Sequence, residues 1–393
     1  MRILIVNYEF PPIGGGAATA TLFLAKSLLA RGHEVCVLTS AIDDLPYQTV
    51  EDGIEVVRLS TLRKRKDRAG ILEMGSFAIA GMLGLPSVVR RFRPDCAIAM
   101  FTIPCGHIGL ALKKIWNIPY VVSLRGGDVP GFNPSVNWYH SCLRPFRHMI
   151  LGNACAVVAN STGLAELAHE TDPFHVTVIP NGVDCHFFRP SERDKSVTHR
   201  FNFLFVGRFT SEQKNLARLL EELATLNRTY SGQFLFHVVG DGPERESLMR
   251  LALQLGLEAI VTWHGWIDRE KLREIYKSSD CLVNVSLVEG MSNVILEAMA
   301  SGLPVIASAV RGNTETVIHG ESGLLFDLDQ PDNLQQMLRH VLVDRDAARA
   351  LGLRAREIAQ IRFSWDSAAE RYMALFDSDT KIVNTYESYP PAK

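Results

Sequence analysis

The sequence has little that would tie it to a zinc module, a disulfide scaffold or a nucleic-acid partner. Its seven cysteines, at positions 36, 96, 105, 142, 155, 185 and 281, are odd in number and scattered. None forms a C-x-x-C pair or a zinc-like pairing with histidines, so reduced thiols are expected. Formal net charge is only −2, which argues against a chain built for nucleic acid. The opening "MRILIVNYEF" lacks the long apolar segment and small-residue cleavage site of a secretory leader, and reads as a first β-strand entered at once. The expected location is the cytoplasm.

What is present is an ordinary globular composition, 47% hydrophobic and 21% charged, over 393 residues. That length is comfortable for two domains. Short apolar runs alternate with helical patterns: "RILIVN", "EVCVLT", "IEVVRL", "DCAIAM", "YVVSL", "CAVVAN" and "VTVIP", then "FNFLFVG", "FLFHVVG", "IVTWHG", "CLVNVS" and "PVIAS". Continuous apolar strands separated by helices (17–31, 215–229, 243–255 and 331–343 among them) indicate parallel sheets covered on both faces. The pattern restarts after the polar stretch "RPSERDKSVTHR" (189–200). The expected organisation is α/β, with one doubly wound domain over 1–190, a second over 191–363, a final helix over 364–380 and a disordered tail over 381–393. Ligands of such sheets bind at the carboxyl ends of the strands, and the cleft between two facing sheets is the default site.

Charge is unevenly spread. Between Arg58 and Arg147 stand 14 Lys/Arg against 4 Asp/Glu, beginning with "RKRKDR" (63–68). The following nineteen residues, Ile71 to Val89, carry one charge, which meets the length of a membrane span, but three glycines and Pro86 weaken a free-standing helix. Two readings stay open. The segment is a buried or half-buried helix, or it is a patch that docks on an anionic membrane surface through Arg63, Lys64, Arg65 and Lys66.

The stretch "VEGMSNVILEAMASGLPVIAS" (288–308) places Glu289 and Glu297 in a run that otherwise looks like core. Ionised carboxylates are costly there unless partnered; the bland alternative is two rim glutamates on an ordinary helix. Ser292 suits an N-cap, with Asn293 and Val294 opening a helix that Gly302 ends. The first amides of such a helix form a site for phosphate. "VGRFTSEQKN" offers balancing cations, Arg208 after a strand and Lys214 opening the next helix, a pair able to neutralise a diphosphate. Solvated charges at element ends are the alternative. In "VVGDGPER", Gly240 and Gly242 serve either turn chemistry or ligand contact. "WHGWI", with His264, ends a strand in aromatic surface that suits a nucleobase.

In the first half, Gly14, Gly15 and Gly16 lie between the first strand and the first helix, where backbone amides can approach an anion. The G-x-G-x-x-G spacing is missing and no acidic residue follows the second strand, so a nicotinamide dehydrogenase is disfavoured. "VVSLRGGDVPGF" ends a strand with Arg125 and Asp128, either a polar binding element or a loop clamp. His107 in "PCGHIG" faces a cleft or caps a helix.

Taken together and in order, "PPIGGG" with "LLARGHEVCVLT", "IPNGVD", "VGRF" with Lys214–Asn215, "VVGDGP" and the E-x7-E stretch resemble glycosyltransferase family 4, a retaining family of GT-B architecture, over nearly the whole chain. The resemblance implies a nucleotide-sugar donor, UDP- or GDP-linked, bound by the second domain, and an acceptor bound by the first. It implies Arg208 and Lys214 on the diphosphate, Glu297 on the ribose, and Glu289 on the donor sugar. Ser292, Asn293 and Val294 would offer amides to sugar or phosphate, with Gly15 and Gly16 approaching the phosphate. The final helix would return to the first domain. Many relatives carry a histidine near Arg125; Asp128 is the substitute expected to make a polar contact in the acceptor domain. No metal or cofactor is implied, since no D-x-D-type motif stands where a metal would bridge phosphates. The basic, apolar-flanked first half suits a lipid-linked or envelope saccharide as acceptor. A GT-B nucleotide-sugar epimerase and a catalytically silent nucleotide-sugar binder are the rival readings.

Overall fold

A computed structural model describes residues 1–42, 45–66, 69–133, 137–191, 200–210 and 213–377. Asp67 and Arg68 of the basic run, 192–199 of the polar stretch and the tail over 381–393 lie outside the described residues. The chain forms two compact units. Unit 1 is Met1–Gly182 with the segment from Trp365 onward, and unit 2 is Val183–Ser364.

Unit 1 holds strands β1 (Arg2–Val6), β2 (Glu34–Ser40), β3 (Gln48–Glu51), β4 (Ile54–Leu59), β5 (Cys96–Met100), β6 (Tyr120–Leu124), β7 (Ala156–Ala159) and β8 (Val176–Val178). They form one sheet in the order β3-β4-β2-β1-β5-β6-β7-β8. Only β3 runs antiparallel to its neighbour. Strands such as β5 and β6 are buried at every residue, because helices cover both faces. Unit 2 holds β9 (Phe201–Val206), β10 (Phe234–Val239), β11 (Val261–Gly265), β12 (Cys281–Asn284), β13 (Val305–Ser308) and β14 (Gly323–Phe326). This second sheet is parallel throughout, in the order β11-β10-β9-β12-β13-β14. The order reverses between β9 and β12, so a crevice opens beyond their carboxyl ends.

Two strands escaped the sequence reading. β3 (QTVE) is an exposed polar edge strand, and β14 (GLLF) is too short to show a pattern. The division between units falls at Gly182/Val183, ahead of the polar stretch expected to mark it at 190/191. Val183 donates to the Phe363 carbonyl at 3.0 Å. Phe188 meets Tyr276 edge-on at 5.6 Å, so 183–188 packs with the second core.

The helix Ile71–Phe92 forms with Pro86 inside it, buries Phe77, Leu85 and Val88, and leaves Leu72, Ile79 and Leu83 exposed. It is long and apolar enough to cross a membrane by composition, yet its buried face belongs to the unit 1 core. It is half-buried. None of the seven cysteines is in a disulfide.

The last described helix, Trp365–Ala374, packs on Gly16–Ala30 in unit 1. Trp365 stacks on Phe23 at 6.1 Å, and the Tyr372 hydroxyl is 2.6 Å from Ser123 Oγ at the end of β6. Truncating a buried aromatic leaves a cavity that costs about 3–5 kcal/mol. Trp365→Ala should therefore lower the urea midpoint of unit 1 sharply; an unchanged unfolding curve would show that this helix is not part of that core.

Candidate active site

The switch point of the unit 2 sheet gathers most of the residues singled out in its sequence. Arg208 and Lys214 lie on the loop that follows β9, and Glu289 lies on the loop that follows β12. Leu287 N–H donates to the Gln213 carbonyl at 2.7 Å and laces these two loops together. Lys214 Nζ pairs with Glu289 Oε1 and reaches Ser286 Oγ at 3.3 Å, while Ser286 Oγ donates to Glu289 Oε1 at 2.8 Å. Both charged side chains are mostly buried, so each offsets the other's desolvation.

Behind this pair runs a buried polar relay that the sequence reading missed. Asn313 Nδ2 donates to Asn284 Oδ1 at 3.3 Å and to the Ser308 carbonyl at 3.0 Å. Ser308 Oγ donates to the Ser286 carbonyl. Asn284 and Ser286 sit at the carboxyl end of an otherwise apolar strand, which was the available signal. Gly312 is required by close approach: a Cβ there would stand 2.3 Å from the Gly290 carbonyl oxygen, directly behind the Glu289 loop.

Glu297 stands on the helix Asn293–Ala300. The residue keeps some surface, but its carboxyl is closely enclosed, and burial pushes its pKa up to about 7. Tyr276, fully buried, donates to Glu297 Oε2 at 3.0 Å. Burial and the neighbouring carboxylate raise the Tyr276 hydroxyl well above its ordinary value, so it remains a donor. Arg269 adds positive potential toward Glu297, with its guanidinium 4.0 Å from the Phe187 ring centroid. Neither Tyr276 nor Arg269 was singled out from sequence; Tyr276 reads as one more apolar-face residue of its helix.

Other expected residues fall differently. Ser292 occupies the N-cap position, but its hydroxyl makes no capping bond; it accepts from Asn284 Nδ2 at 3.5 Å. Asn293 and Val294 form the first turn of that helix. Gly240 is required by close packing: at φ 129°, a Cβ would lie 1.9 Å from the Gly207 carbonyl oxygen. His264, on the edge strand β11, shares a hydrogen bond of 3.1 Å with His237 on the neighbouring β10, and burial lowers the pKa of both. His107 bonds to the Ala78 carbonyl at 3.1 Å.

In unit 1, Gly15 and Gly16 are exposed at the start of the helix Gly16–Ala30. Asp128 does not stand ready for an acceptor. Its buried carboxylate accepts from the Thr102 amide at 2.7 Å and the Arg125 amide at 2.9 Å, and so clamps the loops after β5 and β6. Arg63 is likewise withdrawn from the basic surface expected of it. It is buried, 3.4 Å from Glu9 Oε1, and it donates to the carbonyls of Tyr8, Arg65 and Lys66. Lys64, Arg65 and Lys66 are exposed. Among the described residues, no three His, Cys, Asp or Glu side chains are grouped to hold a metal.

Comparison with known proteins bears on this arrangement. The family model "Glycosyltransferase Family 4" matches residues 14–187, and "Glycosyl transferases group 1" matches 189–358. The chain belongs to the family 4 glycosyltransferases. An uncharacterized glycosyltransferase of Methanocaldococcus jannaschii is 27% identical over 398 residues, covering 96% of this transferase and 98% of its own length. A GDP-mannose-dependent alpha-(1-6)-phosphatidylinositol monomannoside mannosyltransferase of Mycobacterium tuberculosis is 30% identical over 207 residues, 49% of this chain and 53% of that one. Sucrose-phosphate synthase from Thermosynechococcus elongatus superposes with a TM-score of 0.80 at 24% identity, covering 96% and 98% of the two chains. The transferase thus has the GT-B fold.

The raised pKa of Glu297 has a sign. Between about pH 4.5 and 7 the folded state holds a proton that the unfolded state has released, so this group makes stability fall as pH rises through that window. The loss is at most about 3 kcal/mol. Glu297→Gln carries no such proton, and its stability relative to wild type should improve from pH 5 to pH 8 in urea titrations. A constant difference would show that the carboxyl is not held protonated.

Proposed function

We propose that this glycosyltransferase moves a sugar from a nucleoside diphosphate to an acceptor hydroxyl with retention of configuration, and that the acceptor is a lipid-linked or envelope saccharide. The observation that carries the donor reading is the enclosed Glu297 carboxyl with Tyr276 donating to it. A carboxylate in so dry a place is well suited to accept from two vicinal hydroxyls such as those of a ribose. Unit 2 would bind the donor and unit 1 the acceptor.

In the proposed step, the acceptor oxygen forms a bond to the anomeric carbon on the face from which the diphosphate departs. The bond from that carbon to the phosphate oxygen breaks with its electron pair, and the acceptor proton passes to the leaving phosphate. Negative charge therefore grows on the diphosphate. Arg208, Lys214 and the amides at the start of Asn293–Ala300 meet it there, while Glu289 is the candidate contact for the donor sugar. Lys214 lies against Glu289, so a diphosphate that drew Lys214 to itself would at the same time release the Glu289 carboxylate toward the sugar. Gly15 and Gly16 are assigned to the phosphate from unit 1. His264 is assigned a place beside the base.

Removing one fixed donor to a developing charge typically lowers kcat by about 100- to 1,000-fold. Arg208→Ala should show a loss of that order in nucleoside-diphosphate release from the donor that wild type uses, with its urea midpoint unchanged. Near-normal turnover would end the role given to Arg208.

The membrane part rests on the exposed Leu72, Ile79 and Leu83 together with Lys64, Arg65 and Lys66 on the preceding loop. Such a surface binds anionic bilayers by apolar insertion and charge. The full chain should sediment with vesicles containing anionic lipid, less so as salt is raised, and reversal of the three exposed charges should abolish it. Binding that ignores salt, or none at all, would remove the membrane from the proposal.

A further inference from the structure

A cavity of about 190 Å³ opens in unit 2 at the end of the sheet opposite Arg208 and Lys214, where β9, β12 and β13 begin. Three cationic side chains line it, Lys277, Arg345 and Arg349, against the carboxylates of Asp280 and Asp346. Asp280 is committed to the backbone, accepting from Asn202 N–H at 2.8 Å. Asp346 sits in the first turn of the helix Arg345–Arg362, where a carboxylate answers the helix dipole. Arg349 is exposed and forms no ion pair among the described residues. One wall group is left unsatisfied. Ser301 is 3% exposed, and its hydroxyl has no hydrogen-bond partner. A buried hydroxyl without a partner costs free energy that a ligand oxygen can recover.

The cavity also touches the site already described. Tyr276 forms part of its wall, and the same residue donates to Glu297. The eight-residue helix Asn293–Ala300 ends at Ser301, so about 12 Å separates its first turn from the cavity.

We propose that this cavity binds the phosphate group of a small phosphorylated molecule, and that its occupancy is coupled to the nucleotide site through Tyr276 and Glu297. Ser301 Oγ, buried in the cavity wall, turns inward to donate to a phosphate oxygen, and Arg349 supplies the charge, joined by Lys277 as it leaves Glu274, 3.0 Å away. A ligand that moves the Tyr276 ring moves the hydrogen bond on the Glu297 carboxyl, and the resulting coupling is reciprocal. The coupling rests on the donor reading given above; the anion site does not.

Inorganic phosphate is the probe, titrated into the full chain and followed by thermal shift. Wild type and Arg208→Ala should respond alike, whereas Arg349→Ala and Ser301→Ala should need at least about ten times more phosphate, the loss of roughly one charge-assisted hydrogen bond. A response lost in Arg208→Ala and kept in Arg349→Ala would put the phosphate at the nucleotide edge and overturn the site, as would no response in wild type. The dissociation constants of UDP and GDP are then measured with and without saturating phosphate. The nucleotide that binds should change affinity by a factor that both Arg349→Ala and Tyr276→Phe abolish, although Tyr276→Phe still binds phosphate. A factor that persists in Arg349→Ala would be competition at the nucleotide edge and would overturn the coupling, as would unchanged nucleotide affinity. If Glu297→Ala leaves nucleotide binding intact, the donor reading falls, and the phosphate result at Arg349 stands independently.

Discussion

The carboxyl edge of the unit 2 sheet is organised by the cost of taking carboxylates out of water. An uncompensated buried charge costs several kcal/mol, and this unit places two acidic residues where the chain is otherwise apolar. Glu289 is met by Lys214 and Ser286, and Glu297 by Tyr276 with Arg269 behind it. The first pair needs the loops after β9 and β12 at one fixed separation. Asn284, Ser308 and Asn313 hold that separation from below, and Gly312 leaves room for the backbone of the Glu289 loop. A dense polar network of this kind fixes one arrangement, because each member left alone would be expensive.

The same logic changes the meaning of the basic surplus in unit 1. Arg58 is buried against Glu51, Arg63 against Glu9, and Arg147 against both oxygens of Asp172. These three arginines are internal braces, and their charge is spent on their partners. The surface that remains basic is narrower than a count along the chain indicates. Arg63 is informative here, since it ties the loop carrying Lys64, Arg65 and Lys66 to the segment that precedes the triple glycine. A residue that looks like part of a charged patch is the reason the patch has a defined shape.

Most of the architecture was legible because parallel strands buried on both faces announce themselves as continuous apolar runs. β3 was not, since an antiparallel edge strand with a polar sequence carries no such signal, and β14 was too short. The unit boundary was misread because composition marks a polar linker, whereas the division depends on where Val183 and Phe188 find their contacts. At the site, charged residues in strand-end loops were visible: Arg208, Lys214, Glu289. Tyr276 and Arg269 were invisible, because their partners lie more than twenty residues away and only the fold joins them to Glu297. Asp128 shows the reverse error. A loop clamp uses the same residue types as a binding loop, and nothing in one sequence separates the two.

The closing helix Trp365–Ala374 belongs to unit 1 although it is the last described segment of the chain. Its side chains fill the space between the first helix and the sheet, with Tyr372 reaching Ser123 and Arg125. Synthesis runs from the amino terminus, so the core that begins first lacks this wall until the ribosome has passed residue 374. Unit 2 is continuous in sequence and has all its parts earlier. Completion of the two cores on the ribosome is therefore inverted relative to their order in the gene, and the first 182 residues must wait, with Phe23 and its neighbours uncovered, through the synthesis of a whole domain. A nascent chain with this layout needs protection of that face for several seconds at least, at translation speeds of about 5–20 residues per second.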